Sequence, residues 1–514
     1  MTIMNQPLTQ GFLYTDQYQL TMAQLYFQQG LHERPVQFDL FFREYPDYGE
    51  HQAGYCISAG LEPLLQWMEV TRFSDDDAKC LKNDVGPAGN RTFDDDFIDW
   101  LSEKGRFDCV SMHAIPEGRV VHPHTPVVSI RGPLGVSQIL ETALMNHTSY
   151  PILVATKACR MNLAGQKRPL LEFGMRRAQG WAANGGARAA LIGGADFSSN
   201  VGASHALGFP PKGTHAHSMV QVFLGLGMEE IDAFRAYAEV YPDNCILLVD
   251  TVDSLGSGVP NAIKVFKELR QNGHEPRGIR LDSGDLAYLA IESAKMLNDA
   301  GFEDAAIVLS GDLEEMALWQ IIQQIRDDAG AAGLDSERLI QRLMYGVGTN
   351  MITSRGAPAL KSAYKLVAVC DHEKWQPTVK ISETPAKTPT PGTKELWRLY
   401  DRRGKATADV IAMPEEDLRE FDRIELHHVI DPHKSRTLSR QDISRAERIL
   451  EPVLEAGKRI AEPTNIQAMR ERRDADLERL DTGVKRVVNP HIYHVSLTDR
   501  VWRMKNRLVE QMKA

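Results

Sequence analysis

The chain has 514 residues, 43% of them hydrophobic and 25% charged, with a formal net charge of −10. That is ordinary globular composition for roughly two to four domains, and no apolar run approaches the roughly 18 residues that a membrane-crossing helix needs. The acidic balance argues against unspecific nucleic-acid binding, which needs a basic footprint, and leaves room for a local basic pocket around a small anion.

The N-terminal stretch MTIMNQPLTQGFLYTDQY has neither a basic n-region nor an apolar h-region, so no signal peptide is expected. Thr15 and Asp16 can cap a first helix. Tyr18, Met22, Leu25 and Tyr26 recur on one face of it, and Gly30 can end it. VQFDLFF, from Val36 to Phe42, alternates with period two and reads as a strand. IPEGRVVHPHTPVVSIRG, with short β-branched runs between Pro and Gly, reads as a small β unit. VSQILETALMNHTSYPILVATKACRMN reads as a long helical connection out of a first α/β domain, residues 1–150. The cysteines Cys56, Cys80, Cys109, Cys159, Cys245 and Cys370 form no CxxC pair. They read as buried small hydrophobes in a reducing cytosol, which makes the expected location cytoplasmic.

From Leu170 the texture changes. LLEFGMRR, ARAALIGGADFS, GTHAHS, CILLVDTVDS, RGIRLDSGD, AIVLSGDL, RLMYGVGTN and SAYKLVAV are short apolar runs that end in Gly, Asp, Arg or His, with helical stretches between them. Strand, polar tip and helix at a spacing of roughly 25–35 residues is the βα signature of a parallel sheet. Seven or eight such units favour a barrel over an open sheet, with its active site at the C-terminal ends of the strands. This second domain is expected over 151–370. A third segment, 371–514, opens with the Pro/Thr/Gly-rich KISETPAKTPTPG and a strand. It returns to the first domain and continues into helices expected over ISRAERILEPVLEAGKRI and MRERRDADLERL, and it closes as strand and helix.

The strand tips carry the chemistry. Gly346, Gly348 and Thr349 let backbone amides approach an anion, or form a plain tight turn. Gly311 in SGDL reads the same way. Asp250, Asp253, Asp282 and Asp285 sit at two successive tips. Each is a helix cap in one reading; in the other the set suits a hydroxyl-rich sugar or Mg²⁺ held together with phosphates. Phe173 can stack on a flat ring, and Arg176 and Arg177 can pair with an anion, or all three are core and solvated surface. His215 and His217 form an H-x-H. A metal-dependent hydrolase would need further histidines at later tips, and those tips have none. A histidine among Asp and Arg at such a tip is instead suited to acid–base work or to accepting a phosphate.

YTDQYQLTMAQLYF, FDLFFREYP, ISAGLE, LEFGMRRAQG, GGADFSSNVGASHALGFPPKGTHAHSMV, DTVDSLGSGVPNAI, GIRLDSGDL, GVGTNM, SAYKLV and KISETPAKTPTPG occur in this order. The ordered set, from Tyr14 to about Asp401, closely resembles the nicotinate phosphoribosyltransferase family. The resemblance implies an irregular parallel βα barrel of the type II phosphoribosyltransferase kind, with an N-terminal α/β domain and a helical C-terminal extension. It implies a homodimer whose sites are completed across the interface. It also implies formation of nicotinate mononucleotide and pyrophosphate from nicotinate and phosphoribosyl pyrophosphate, with Mg²⁺, and with ATP hydrolysis coupled through a phosphohistidine. In that scheme Tyr18 of the partner subunit and Phe173 hold the nicotinate ring. Arg176, Thr214 and Arg280 hold its carboxylate or adjoining phosphates, and Asp250, Asp253 and Asp282 face the ribose or its Mg²⁺. Gly311, Gly346, Gly348 and Thr349 cradle the 5′-phosphate. His217, three residues after Thr214 and just before Ser218, is the phosphorylated histidine, with Thr214 and Ser218 beside the phosphoryl oxygens. His215 holds a variable position and reads as packed or solvated. Asp196 sits where a related nicotinamide-using enzyme places an aspartate that reads the amide. The alternatives are a nicotinamide or quinolinate phosphoribosyltransferase, a metal-dependent amidohydrolase with His215 and His217 as ligands, and a catalytically dead ligand-binding paralogue.

Overall fold

The computed structural model describes residues 11–381 and 387–513. Residues 1–10, with most of the stretch read for a signal peptide, and 382–386, inside KISETPAKTPTPG, lie outside them. The chain divides into two units: 1–153 with 359–514, and 154–358 between them. Among the described residues no helix is long and apolar enough to cross a membrane.

The first unit draws on both ends of the chain. A seven-stranded sheet pairs the strand Pro35–Phe42 antiparallel to Val128–Pro133 on one side and to Ser362–Asp371 on the other. The SAYKLV strand thus belongs here and not with the parallel units, which places the boundary near 358 instead of 370. Both faces of Pro35–Phe42 are buried. Its inward Asp39 is therefore compensated by the Lys394 ammonium and the Ser129 hydroxyl.

The first helix, Gln17–Gln28, starts and stops near the expected residues, but its inward face is Gln19, Leu20 and Ala23. Tyr18 and Leu25 are about half exposed, at 50% and 53%. Of the apolar side chains chosen from periodicity, Tyr18 and Leu25 thus face outward while Met22 and Tyr26 are partly buried, and a buried Gln138–Gln19 amide contact takes the inner side.

The C-terminal stretch carries more sheet than its charge pattern suggests. Six strands form a second sheet, and ISRAERILEPVLEAGKRI, expected as helix, is the strands Ile443–Arg448, Glu451–Glu455 and Lys458–Arg459. Pro452 cannot sit inside a helix without losing a hydrogen bond. Ala456 and Gly457, both at positive φ, make the two-residue turn between the last two strands. The helix over MRERRDADLERL is Ile466–Arg479, and the chain closes on the strand Val495–Thr498 and the helix Asp499–Lys513.

A buried arginine joins these distant stretches. Arg398 donates to both oxygens of Asp409 at 2.7 and 2.8 Å, to Asp476 at 3.0 Å and to the Val120 carbonyl at 2.8 Å. All three charged groups are buried, and the carboxylates hold the guanidinium well above its usual pKa. Removing one partner would strand a buried charge. Asp409→Ala is expected to cost about 3–5 kcal/mol, seen as a large fall in the melting temperature of the first unit. A melting temperature within a degree or two of wild type would show that the network adds little.

The second unit is a six-stranded parallel sheet. Its strands are β1 (Leu170–Glu172), β2 (Phe197–Ser198), β3 (Ile246–Leu248), β4 (Gly278–Leu281), β5 (Ala306–Gly311) and β6 (Leu343–Val347), in the spatial order β2-β1-β6-β5-β4-β3. Helices separate them in sequence, such as Ala182–Gly193, Val259–Gln271 and Leu286–Asp299. Six strands stand where seven or eight were expected. ARAALIGG is helix, GTHAHS is irregular up to Ala216 and helical from His217, and SAYKLV lies in the other unit. No ladder joins β2 to β3 among the described residues, so both are edge strands of this sheet, and the segment 211–216 runs between them.

Candidate active site

Register brings the tips together. Leu248 pairs with Arg280, Arg280 with Val308, Ser310 with Gly346, and Gly346 with Leu171. Two residues beyond the first pair, Asp250 and Asp282 therefore stand side by side, with Ser310, Gly346 and Leu171 following across the sheet; Phe173 stands two residues beyond Leu171, with its ring against Gly346.

The Asp250 side chain is only 3% exposed. Its Oδ1 lies 3.0 Å from His217 Nε2, and its Oδ2 accepts from the Asp282 backbone N–H at 3.1 Å and the Ser283 hydroxyl at 2.6 Å. A carboxylate can only accept, so His217 Nε2 is the donor, which in a neutral ring leaves the lone pair on Nδ1. His217 is the first residue of the helix His217–Gly225, and Ser218 follows at its exposed N-terminus.

Arg280 organises the next layer. It donates to Ser310 Oγ at 2.8 Å, to Asp282 Oδ1 at 2.8 Å and to Thr214 Oγ1 at 3.2 Å, and its guanidinium carbon lies 5.4 Å from the centre of the Phe173 ring. Burial alone would raise the Asp282 carboxyl pKa. The Ser310 hydroxyl and the Arg280 charge outweigh it and hold the group below the ordinary carboxylate value. The Phe173 ring packs where a Cβ on Gly346 would fall, 2.5 Å away, so only glycine fits there. Gly311 has φ +117, and a Cβ on it would sit 2.6 Å from the Asp282 carbonyl. Gly348 precedes the short helix Thr349–Ile352, pinned by Asn350 Nδ2 to the Asp312 and Leu313 carbonyls.

The remaining candidates are placed as follows. Arg176 is exposed in the turn Met175–Arg177 directly after Phe173. Asp253 and Asp285 cap the helical segments that follow them, accepting from the Leu255 and Gly256 amides and from the Tyr288 amide. Asp196 accepts the Leu170 N–H at 2.9 Å. Tyr18 lies in the first unit. Glu172 went unnoticed in the sequence: fully buried at the tip of β1, it accepts from Ser198 Oγ at 2.6 Å and from the Gly174 amide, and burial pushes its carboxyl pKa up. Its signal was only an acid at the end of an apolar run.

His215 is neither solvated nor inert. Its Nε2 accepts the Leu248 N–H of β3 at 3.0 Å, while the Lys212 N–H reaches the Ser198 carbonyl of β2 at 3.1 Å. The segment thus spans the open edge, with an imidazole standing in for a ladder carbonyl. The two histidines are two residues apart, as are their partners Leu248 and Asp250, so the H-x-H matches the period of the strand.

Family models describe 13–149 as the nicotinate phosphoribosyltransferase N-terminal domain and 393–505 as the C-terminal domain of the same enzyme. A curated nicotinate phosphoribosyltransferase of Bacillus subtilis is 36% identical over 504 residues, covering 98% of this chain and 96% of that protein. The chain belongs to the nicotinate phosphoribosyltransferase family. The human member is 32% identical over 551 residues, 96% of each chain. A crystal structure of human nicotinic acid phosphoribosyltransferase superposes with a TM-score of 0.77 at 29% identity, covering 96% of this chain and 99% of that one. A nicotinate-nucleotide pyrophosphorylase from Pyrococcus furiosus shares the fold at a TM-score of 0.66 and 20% identity, over 93% of this chain and 98% of that one. The free thiols differ from their expected packing: Cys56, Cys159 and Cys245 are buried, but Cys80 and Cys109 are exposed.

His215→Phe keeps ring volume but leaves the Leu248 N–H without its acceptor, at an expected cost of about 1–3 kcal/mol. Burial depresses the His215 pKa from 6.5 to about 4. The unfolded chain therefore takes up that proton first, and wild type loses this contribution as pH falls from about 6.5 towards 4. The melting-temperature gap between wild type and variant should narrow over that range; a gap independent of pH would contradict the neutral-acceptor role.

Proposed function

We propose that the second unit's strand tips transfer a 5-phosphoribosyl group from phosphoribosyl pyrophosphate to nicotinate, releasing pyrophosphate. The ring nitrogen forms a bond to the ribose C1 as the bond from C1 to the pyrophosphate oxygen breaks. Positive charge growing at C1 is met by Asp250 and Asp282. The observation that carries this reading is the convergence of Asp250 and Asp282 at adjacent strand tips with Arg280, which bonds Asp282 and lies against the Phe173 ring, within a chain that belongs to this family. Phe173 and Arg280 together offer a ring-sized apolar surface beside a guanidinium, which suits an aromatic acid. Arg176, with its exposed guanidinium, adds a second cation for the carboxylate or an adjoining phosphate. Gly311, Gly346, Gly348 and Thr349 would take the 5′-phosphate on backbone amides. The hard oxygen donors of Asp250, Asp253 and Asp282 fit Mg²⁺ held together with the donor's phosphates, where the ion would offset the charge of the departing pyrophosphate.

ATP enters through His217. With Nε2–H directed at Asp250, Nδ1 attacks the γ-phosphorus and ADP leaves with the bonding electrons. The positive charge left on the ring is shared with the Asp250 carboxylate. Thr214, three residues before His217, and Ser218, directly after it, would bond the phosphoryl oxygens. Asp196 carries no substrate contact in this scheme. Tyr18, on an exposed helix face with Leu25, is offered to a second copy, where it would close over the nicotinate ring in a homodimer.

The assay supplies phosphoribosyl pyrophosphate and Mg²⁺ with nicotinate, nicotinamide or quinolinate in turn, with and without ATP, and identifies the mononucleotide. Turnover should be highest with nicotinate and rise with ATP. Arg280→Ala should cost on the order of 2–5 kcal/mol in kcat/KM. Equal or better turnover with nicotinamide would overturn the acceptor assignment.

A further inference from the structure

The first unit holds a second cluster of ligand-type side chains, remote in sequence from every strand-tip residue. Glu425 and His427 lie two apart on the strand Arg423–His428, so they share a face. That strand pairs antiparallel with Val495–Thr498, His427 opposite Leu497. The next residue after Thr498, Asp499, opens the C-terminal helix beside the imidazole. His427 Nε2 lies 3.3 Å from Asp499 Oδ1 and 3.8 Å from Glu425 Oε1.

Three features separate this cluster from an ordinary surface ion pair. His427 is only 6% exposed, yet its Nε2 makes no hydrogen bond among the described residues, which is costly for a buried polar atom without a ligand. Its ring is fixed by stacking on Trp502, with centres 4.3 Å apart and planes 14° from parallel. The other Asp499 oxygen, Oδ2, is held by Arg503 Nε at 2.8 Å, so Oδ1 is the one turned to the imidazole. Nitrogen and oxygen ligands about 2.0–2.2 Å from a tetrahedral zinc-type ion stand about 3.4 Å apart. The observed separations bracket that spacing.

We propose that Glu425, His427 and Asp499 bind one divalent transition-metal ion of the zinc class, with water completing the coordination. The imidazole ligand selects against Mg²⁺ and Ca²⁺, which favour all-oxygen shells. The Glu425 and Asp499 carboxylates are half- and one-third exposed, so the ion can enter from solvent. Once bound, it clamps the strand Arg423–His428 to the start of the last helix and stabilises the C-terminal sheet without entering the transfer reaction.

The test uses the untagged full-length protein, stripped with chelator and desalted, then titrated with Co²⁺ and followed by the visible bands of four-coordinate cobalt. Wild type should bind one saturable equivalent that Zn²⁺ displaces, and its melting temperature should rise with the ion. Altering a group that only hydrogen-bonds to a metal ligand costs about 10–100-fold in metal affinity, so His427→Gln and Asp499→Asn, which alter ligands themselves, should each weaken this equivalent at least tenfold. Asp499→Asn replaces a partly exposed carboxylate and guards against misfolding of the buried histidine variant. No saturable equivalent in wild type, or one held equally well by both variants, would overturn the site.

Discussion

The carboxylate of Asp250 is the constraint on which the rest of the site depends. It is almost fully buried, and such a charge is tolerated only when its oxygens are satisfied. The Asp282 amide, the Ser283 hydroxyl and the His217 ring do this. One side chain therefore fixes the neighbouring strand tip, the turn after it and the tautomer of the histidine. Without it the His217 ring would be free to rotate, and neither nitrogen would be preferred as nucleophile.

The H-x-H opened three possibilities: a metal pair, a nucleophile, or neither. The two imidazoles are turned to different partners, and among the described residues no third His, Cys, Asp or Glu joins them in a metal-sized cluster. His215 makes up for a missing strand pairing, and His217 faces the carboxylate. A parallel sheet left open between β2 and β3 needs something to satisfy the edge of β3, and the segment 211–216 does so while delivering His217 to the tips. Closure of the fold and placement of the proposed nucleophile are thus one structural event.

The placement of Asp250, Asp282, Gly311 and Gly348 at or just beyond strand ends was legible because glycine and aspartate there are constrained by backbone and charge, which leave marks in sequence. Register could not be read, and register is what sets Asp250 beside Asp282; that Asp253 and Asp285 cap the segments after them was one of the two readings the sequence left open. The outward face of Gln17–Gln28 was missed because periodicity gives an apolar stripe but not what it packs against. The strands in 443–459 were missed because alternating charge fits a helix and a half-exposed strand alike, although Pro452 and the Ala456–Gly457 turn were available as signals. His215 is packed, one of the two readings the sequence left open, but its role was not legible because its partner is a backbone amide, invisible to any reading of side-chain motifs.

The most direct test of the account is the site of covalent label after incubation with γ-labelled ATP. The geometry predicts an acid-labile, base-stable phosphoryl group on His217, lost together with ATP hydrolysis in His217→Asn and retained in His215→Asn. Label that survives in His217→Asn and disappears in His215→Asn would contradict the assignment of Asp250 and His217 as the phosphate-accepting pair.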